Sequence, residues 1–228
     1  MSINTTKICV IIPAYNESKT IFEIVQKIKI IPADIIVIDD GSFDNTAKLA
    51  SKAGAYVIHH EKNIGKGKAL IDGFEFAIKK GYEIFITLDG DGQHNPDDIL
   101  SFIEAYKSTG AELIIGNRLI SHKKMPFIRY ITNILMSKFI SFIIKQKIPD
   151  TQCGYRLLTN NIASKLNLSS CRYEIESEMI IKAARSNVKI LSIPIRCIYK
   201  GETSNINSII DTLRFFRFII KALFTKSR

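Results

Sequence analysis

The stretch Leu88 to Ile99, LDGDGQHNPDDI, sets Asp89 and Asp91 one residue apart, directly after the apolar run Ile84 to Leu88, and follows them with Gln93, His94 and the helix start Asn95-Pro96. A short apolar strand ending in acids often marks the mouth of an α/β sheet, where ligands gather at the carboxyl ends of the strands. Acids in that place can hold a metal, cap the next helix or shape an ordinary turn. The rest of the chain has to decide among the three.

Working outward, apolar patterning gives strands at Ile8 to Ile12, Ile35 to Ile38, Ala55 to Ile58, Ile84 to Leu88 and Leu113 to Ile115. Helices are expected between them: Ser18 to Ile30, with Ile21, Ile24, Val25 and Ile28 on one face, then Thr46 to Ala53, Ala69 to Lys79 and Pro96 to Lys107. Alternating strands and helices predict an α/β fold with a doubly wound, mostly parallel sheet. In such a sheet the polar clusters Pro13 to Glu17, Asp39 to Ser42 and Asp89 to Gln93 fall along one edge. Any one of them reads as a turn; their convergence on one edge predicts a shared binding crevice.

The 228 residues suit one domain with room for a sizeable core, and 46% apolar with 24% charged residues is the balance of a folded chain. No low-complexity tract or internal repeat interrupts it. The N-terminus, MSINTTKICVIIPAYN, runs straight into a strand and does not resemble a cleaved signal. Cys9, Cys153, Cys171 and Cys197 are far apart and form no CxxC pair, so reduced cysteines are expected rather than a zinc site or disulfide framework. His59 and His60 lack metal-ligand helical spacing and are read as structural. A dinucleotide site is a poor match: Gly65 to Leu70, GKGKAL, lacks a third glycine and does not follow the first strand, which meets Pro13 instead. A P-loop is absent too.

The net charge of +10 is unevenly spread. Through Asn117 there are 12 Lys and Arg against 16 Asp and Glu, a net of −4; from Arg118 onward there are 20 against 6, a net of +14. The split predicts an acidic half that gathers a cation and a basic half that faces something anionic.

VIIPAYNES, VIDDGSFDNT, NIGKGKAL, LDGDGQHNPDDI, GNR and DTQCGYRLL, in that order, resemble the family-2 glycosyltransferases of GT-A fold. The likeness is greatest to the dolichol- or polyprenyl-phosphate sugar transferases and spans roughly residues 7 to 205. It implies that Asp89 and Asp91 form a DxD motif which, with Gln93, binds Mg²⁺ or Mn²⁺ against the donor's diphosphate. Hard cations of this kind favour carboxylate oxygen. Gly90 leaves room for phosphate or sugar. His94 is a further ligand candidate, with a surface or helix-start role preferred. Pro13, Tyr15 and Glu17 match the nucleotide-gripping turn, while Ile38 and Asp40 match the wall and acid near the nucleobase; Asp39 is expected to shape the turn. Arg118, in GNR, matches an arginine beside the diphosphate, where a permanent cation would steady the leaving group. Lys66 is a looser candidate for phosphate.

By the same resemblance the reaction is an inverting transfer of a hexose from a GDP- or UDP-sugar to polyprenyl or dolichyl phosphate. Glu178 stands where hydroxyl-using relatives carry a catalytic base; base, loop orientation and cation pairing all remain open for it. Residues Asp150 to Arg156, with Gln152, match a loop beneath the acceptor cleft, and Lys200 is expected to contact acceptor phosphate. Tyr199 to Asn205, YKGETSN, departs from the GxSK-like stretch of dolichyl-phosphate mannose synthases, with Asn205 where a lysine would lie. The alternatives are a family-2 transferase with a hydroxyl acceptor in a glycan or glycolipid, and a non-catalytic nucleotide-sugar-binding scaffold.

Pro126 to Lys145 is mostly apolar, with Arg129, Asn133, Ser137, Ser141 and Lys145 every fourth residue, a narrow polar stripe beside a wide apolar face. Arg129 and Lys138 would each cost about 2.5–3.5 kcal/mol near the centre of a membrane span, so an interfacial helix over about 126–147 is expected. The alternative is burial against the sheet. The tail from Ile209, IIDTLRFFRFIIKALFTKSR, repeats the theme with Arg214, Arg217 and Lys221 at helical spacing and 11 apolar residues. The organisation expected is thus a catalytic domain over 1–205 and a basic amphipathic helix over 206–228, peripheral on the cytosolic face of an anionic membrane. The tail suits lipid or a membrane-embedded partner protein. Nucleic acid is not expected, because these helices offer Ile, Leu and Phe rather than a wholly polar basic face.

Overall fold

Ile8–Ala14 (ICVIIPA) forms β1, and from Cys9 onward every residue of it is buried. An unbroken apolar run of this kind suits a strand covered on both faces, as parallel strands are in α/β folds. The computed structural model describes residues 6–120 and 125–198. Within them, β1 pairs in parallel with β2 (Asp34–Asp39) on one side and β4 (Ile84–Thr87) on the other, with Pro13 opposite Ile38 and Ile11 opposite both Ile36 and Thr87. β3 (Tyr56–His59) extends the sheet beyond β2, again in parallel. Beyond β4 lie β6 (Arg156–Thr159), β5 (Leu113–Asn117) and β7 (Ile190–Pro194), giving the order β3-β2-β1-β4-β6-β5-β7.

β6 is the reversed strand, antiparallel to both β4 and β5, while β7 is parallel to β5. Two reversals restore direction, so β5 ends at the same rim as β1, β2 and β4. β6 begins there, and the loop that precedes it is delivered to the same rim. This geometry decides which residues can meet.

Helix α1 (Ile21–Ile28) buries Ile21, Ile24, Val25 and Ile28, the face its periodicity predicts. It starts later than Ser18 because the chain before it is held elsewhere: Asn16 N–H donates to Ser42 Oγ, Glu17 N–H to Thr46 Oγ1 and Ser18 N–H to Asp44. Helix α2 (Thr46–Ala53) matches the expected span and stops at Gly54, whose φ of 104° is left-handed. Helix α3 (Lys66–Lys79) starts three residues before the expected Ala69. A Cβ on Gly67 would lie 2.1 Å from the Ser170 carbonyl oxygen, so the glycine that weakens the helical pattern is what lets the helix start against that loop. After a turn at Pro96–Asp98, α4 (Ile99–Thr109) packs on β5, β6 and β7. Helices α6 (Asn160–Ala163) and α7 (Ile175–Arg185) follow β6.

Helix α5 (Phe127–Ile144) has its polarity turned inside out. Its buried residues are Asn133, Ser137 and Ile140, whereas Phe127, Ile128, Leu135 and Phe142 are 75%, 73%, 62% and 82% exposed. The polar stripe faces the protein: Ser137 Oγ accepts from Thr151 N–H (2.9 Å), and Ser141 Oγ accepts from Ile148 N–H (3.0 Å). Ile140 is buried and Met136, Ile143 and Ile144 pack on the core, but the rest of the apolar face is left uncovered. This is the one helix among the described residues long and apolar enough to cross a membrane by length and composition. Lys200, YKGETSN and the tail helix of 206–228 lie outside the described residues.

Candidate active site

Strand ends build the rim. Leu88 N–H donates to the Ile11 carbonyl, which keeps the chain beside β1 for one residue past β4 and brings Asp89 to the edge. There the Lys66 ammonium, on the first residue of α3, lies 2.7 Å from Asp89 Oδ1 and 2.7 Å from Glu176 Oε1, on α7. Asp89 Oδ2 faces His94 Nδ1 at 4.0 Å. Gly154, in the loop before β6, closes in so tightly that a Cβ there would be 2.8 Å from both Asp89 Oδ2 and Lys66 Nζ.

The two acids of the pair differ electrostatically. Burial opposes ionisation of Asp89, but the Lys66 ammonium, helped by Arg118, brings its carboxyl down to about 2. Burial, and then the negative charge of Asp89, push Asp91 up to about 6, against a bond of 2.9 Å from Gln93 N–H to Asp91 Oδ1. Lys66 itself is held firmly charged: burial opposes it, and its two carboxylate partners outweigh burial.

The donor-side residues are brought to the same rim, with one correction. Pro13 ends β1 beside Ile38, Tyr15 meets the Phe43 ring edge-on at 6.3 Å, and Glu17 leads into α1. Asp40 accepts from Gly65 N–H (2.8 Å), Ile64 N–H (3.0 Å) and the His60 ring (2.8 Å), so its carboxylate shapes the loop that carries Lys66. Asp39 bonds Ser42 and His59, as a turn-shaping acid should. Ile38 is a correction: its side chain is fully buried and packs beside Gly73 of α3, so it offers no wall to a nucleobase. Gly90 lies against the turn of the first strand. The space its missing side chain leaves is bounded by the protein's own turn, with Ala14 Cβ 3.3 Å and Glu17 Cγ 3.4 Å from where a Cβ would be, and Thr20 Oγ1 donates to its carbonyl at 2.6 Å.

Arg118 follows β5 and is gripped by Asp150, with Nε to Oδ2 at 2.8 Å and Nη2 to Oδ1 at 3.0 Å. Asp150 is fully buried, and although burial opposes its ionisation, the guanidinium keeps its carboxyl below the usual range. The loop behind it is held by Arg156, whose guanidinium donates to the carbonyls of Cys153 (2.8 Å), Thr151 (3.0 Å) and Glu176 (2.7 Å). Gln152 turns toward α7, its amide donating to Thr151 Oγ1 at 3.0 Å and Ser177 Oγ at 3.4 Å.

Glu178 is occupied elsewhere. Its carboxylate accepts from Ser169 N–H (3.1 Å) and Ser170 N–H (2.8 Å) and pairs with Lys182 at 2.7 Å. Loop orientation and cation pairing are the roles this geometry gives it. A base would need the opposite bias: burial raises the Glu178 carboxyl, but these donors outweigh it and hold the pKa low. His94 is a further correction to the preferred surface role: it is 3% exposed, stacked obliquely 5.2 Å from Tyr155, and burial lowers its pKa to about 4, leaving it neutral at pH 7. Sequence reasoning missed Glu176, whose contact with Lys66 depends on two helix starts far apart in the chain.

Asp89 and Asp91 are hard oxygen donors, and their mutual repulsion is what a divalent cation would relieve. No group of three His, Cys, Asp or Glu that could hold a metal occurs among the described residues. Carboxylate oxygens are the ligands that hard ions such as Mg²⁺ or Mn²⁺ take from a protein alongside phosphate and water, and the chemistry of the pair fits such an ion.

The seven-stranded, mostly parallel sheet with acids on the rim beyond β4 matches the GT-A fold of glycosyltransferases. The fold is shared with glucosyl-3-phosphoglycerate synthase from Mycobacterium tuberculosis, solved with Mn²⁺, uridine diphosphate and glucosyl-3-phosphoglycerate: TM-score 0.71 and 17% identity, covering 96% of this chain and 78% of that one. The chain belongs to glycosyl transferase family 2, whose family model matches residues 9–166. It is 34% identical to the UDP-N-acetylglucosamine–dolichyl-phosphate N-acetylglucosaminyltransferase of Methanococcus voltae, over 84% of this chain and 86% of that one. It is also 28% identical to polyprenol monophosphomannose synthase of Mycolicibacterium smegmatis, over 84% and 77% of the two chains.

Proposed function

We propose that this glycosyltransferase moves a hexose from a nucleotide sugar of the GDP-mannose or UDP-glucose class to a polyprenyl phosphate, with inversion, at the cytosolic face of a membrane. The observation that carries this reading is α5, whose apolar face is exposed while its polar face packs on the loop holding Arg118. A lipid acceptor needs an apolar approach next to a cationic, phosphate-receiving rim. The names of the relatives from Methanococcus voltae and Mycolicibacterium smegmatis support the same acceptor class.

Asp89 and Asp91, with Gln93 beside them, would hold a Mg²⁺ or Mn²⁺ ion, and the ion would supply positive charge to the departing diphosphate. The residues of the chain do the rest. The turn carrying Pro13, Tyr15 and Glu17, with Asp40 behind it, positions the nucleotide. Arg118, fixed in orientation by Asp150, adds a permanent cation where leaving-group charge develops. The acceptor oxygen attacks the anomeric carbon in line. A phosphate acceptor is already anionic near neutral pH, so no base is required of the protein. That agrees with the engagement of Glu178 in loop contacts, and it disfavours a hydroxyl acceptor using Glu178 as base.

The test is transfer from a panel of nucleotide sugars, with and without added polyprenyl phosphate. A lipid-linked product that requires the added lipid and a divalent cation is expected. Asp91→Ala should cut turnover by about a hundredfold or more with the fold intact. Transfer solely to a hydroxyl glycan, or full activity of the variant, would overturn the reading.

A further inference from the structure

Lys66 occupies an oxygen of Asp89, one of the two acids that would hold a cation. Its ammonium bridges Asp89 Oδ1 and Glu176 Oε1 at 2.7 Å each. The two acids are anchored independently of it. Asp89 follows a strand end bonded to β1, and the main chain at Glu176 is fixed by the fully buried Arg156. Between them, the Lys66 ammonium reaches both acids from the first residue of α3. Glu176 also holds a spare acceptor: its Oε2 is buried and has no hydrogen-bond partner. A buried, unpartnered carboxylate oxygen is costly, and one more donor would satisfy it. Gly154 packs directly against the pair, and a Cβ there would lie 2.8 Å from both Asp89 Oδ2 and Lys66 Nζ.

We propose that Lys66 is a resident counter-ion that gates the cation site, with Glu176 as its second seat. In the metal-free protein the ammonium neutralises Asp89 and keeps the strand rim ordered. When a divalent cation enters, the ammonium withdraws to Glu176, where Oε2 accepts the bond it gives up. The total charge of the triad stays the same, so the exchange needs no proton. Free cation is bound weakly as a result, since it must displace a bonded ammonium. A nucleotide diphosphate, which brings its own oxygens to both cation and ammonium, favours the exchanged state. The inference rests on the reading of Asp89 and Asp91 as the metal-binding pair and assigns Lys66 and Glu176 as positioning residues of that pair.

The experiment is a Mn²⁺ titration of the nucleotide-free protein, followed by the electron paramagnetic resonance signal of free Mn²⁺. The decisive variant is the double substitution K66M/E176Q. It removes one positive and one negative charge, so the net charge of the triad is that of the native protein while Asp89 is vacated. Its Mn²⁺ affinity should rise about tenfold or more, the scale of one lost charge-assisted bond. E176Q alone leaves Lys66 with Asp89 as its sole carboxylate partner and should weaken Mn²⁺ binding severalfold, whereas K66R should stay near native. Unchanged or weaker binding by the folded double variant would overturn the proposal. D91N separates the two ideas: if it leaves Mn²⁺ binding intact, the metal-binding pair itself has been misassigned, whatever Lys66 does.

Discussion

At the scale of single residues, Asp150 carries more structure than its place in a loop suggests. It is fully buried, forms both bonds to the Arg118 guanidinium, and accepts from Gln152 N–H at 3.2 Å. Removing one member of a buried pair costs more than the pair contributes, because the other charge is left desolvated. Asp150→Ala should therefore destabilise the fold by about 3–5 kcal/mol, read as a lower urea midpoint. It should depress transfer beyond what unfolding explains, because Arg118 loses its orientation. The partners of such residues are hard to read in sequence. DxD and GNR are visible as local patterns, yet Asp150 and Arg118 meet only because β6 is reversed. Lys66 and Glu176 meet only because α3 and α7 start against each other.

At the scale of elements, the segments with strong periodicity were the legible ones. α2 needs no correction, and α1 buries the four residues its spacing selects. β6 and β7 escaped notice: RLLT is four residues long with no alternation, and ILSIP ends in proline, so neither carries a strand pattern apart from its neighbours. Glu178 joins two elements by tying α7 to the chain at Ser169 and Ser170, and its pKa gives the tie a pH dependence. Its folded-state pKa lies below the unfolded value of about 4.3, so the stabilisation is present above pH 4.3 and fades as pH falls through the folded value. Glu178→Gln should lower the melting temperature at pH 7, with the gap to native protein shrinking as the pH drops below 4. A gap constant down to pH 3 would mean that the charge is not what holds the loop. On α5, Leu135→Asp together with Phe142→Asp should reduce sedimentation with anionic vesicles severalfold. Stability should stay within about 0.5 kcal/mol per site, because both side chains are exposed.

At the scale of the whole molecule, the sheet brings the ends of its parallel strands and the start of β6 to a single rim, and α5 runs beside that rim with its apolar side outward. The asymmetry of charge along the chain follows the same division, the DxD acids coming from the first half and the basic residues of α5 from the second. Soluble chains seldom leave a contiguous apolar surface of this kind uncovered. Handling in the laboratory should reflect that. In plain aqueous buffer, copies of the protein should hide these phenylalanines and isoleucines against one another, and gel filtration should report dimers or larger species. A mild detergent above its micelle concentration should disperse them into monomers. Any stoichiometry measured without amphiphile would then describe a storage form, and kinetic assays begun from that form should show a lag while the assemblies come apart.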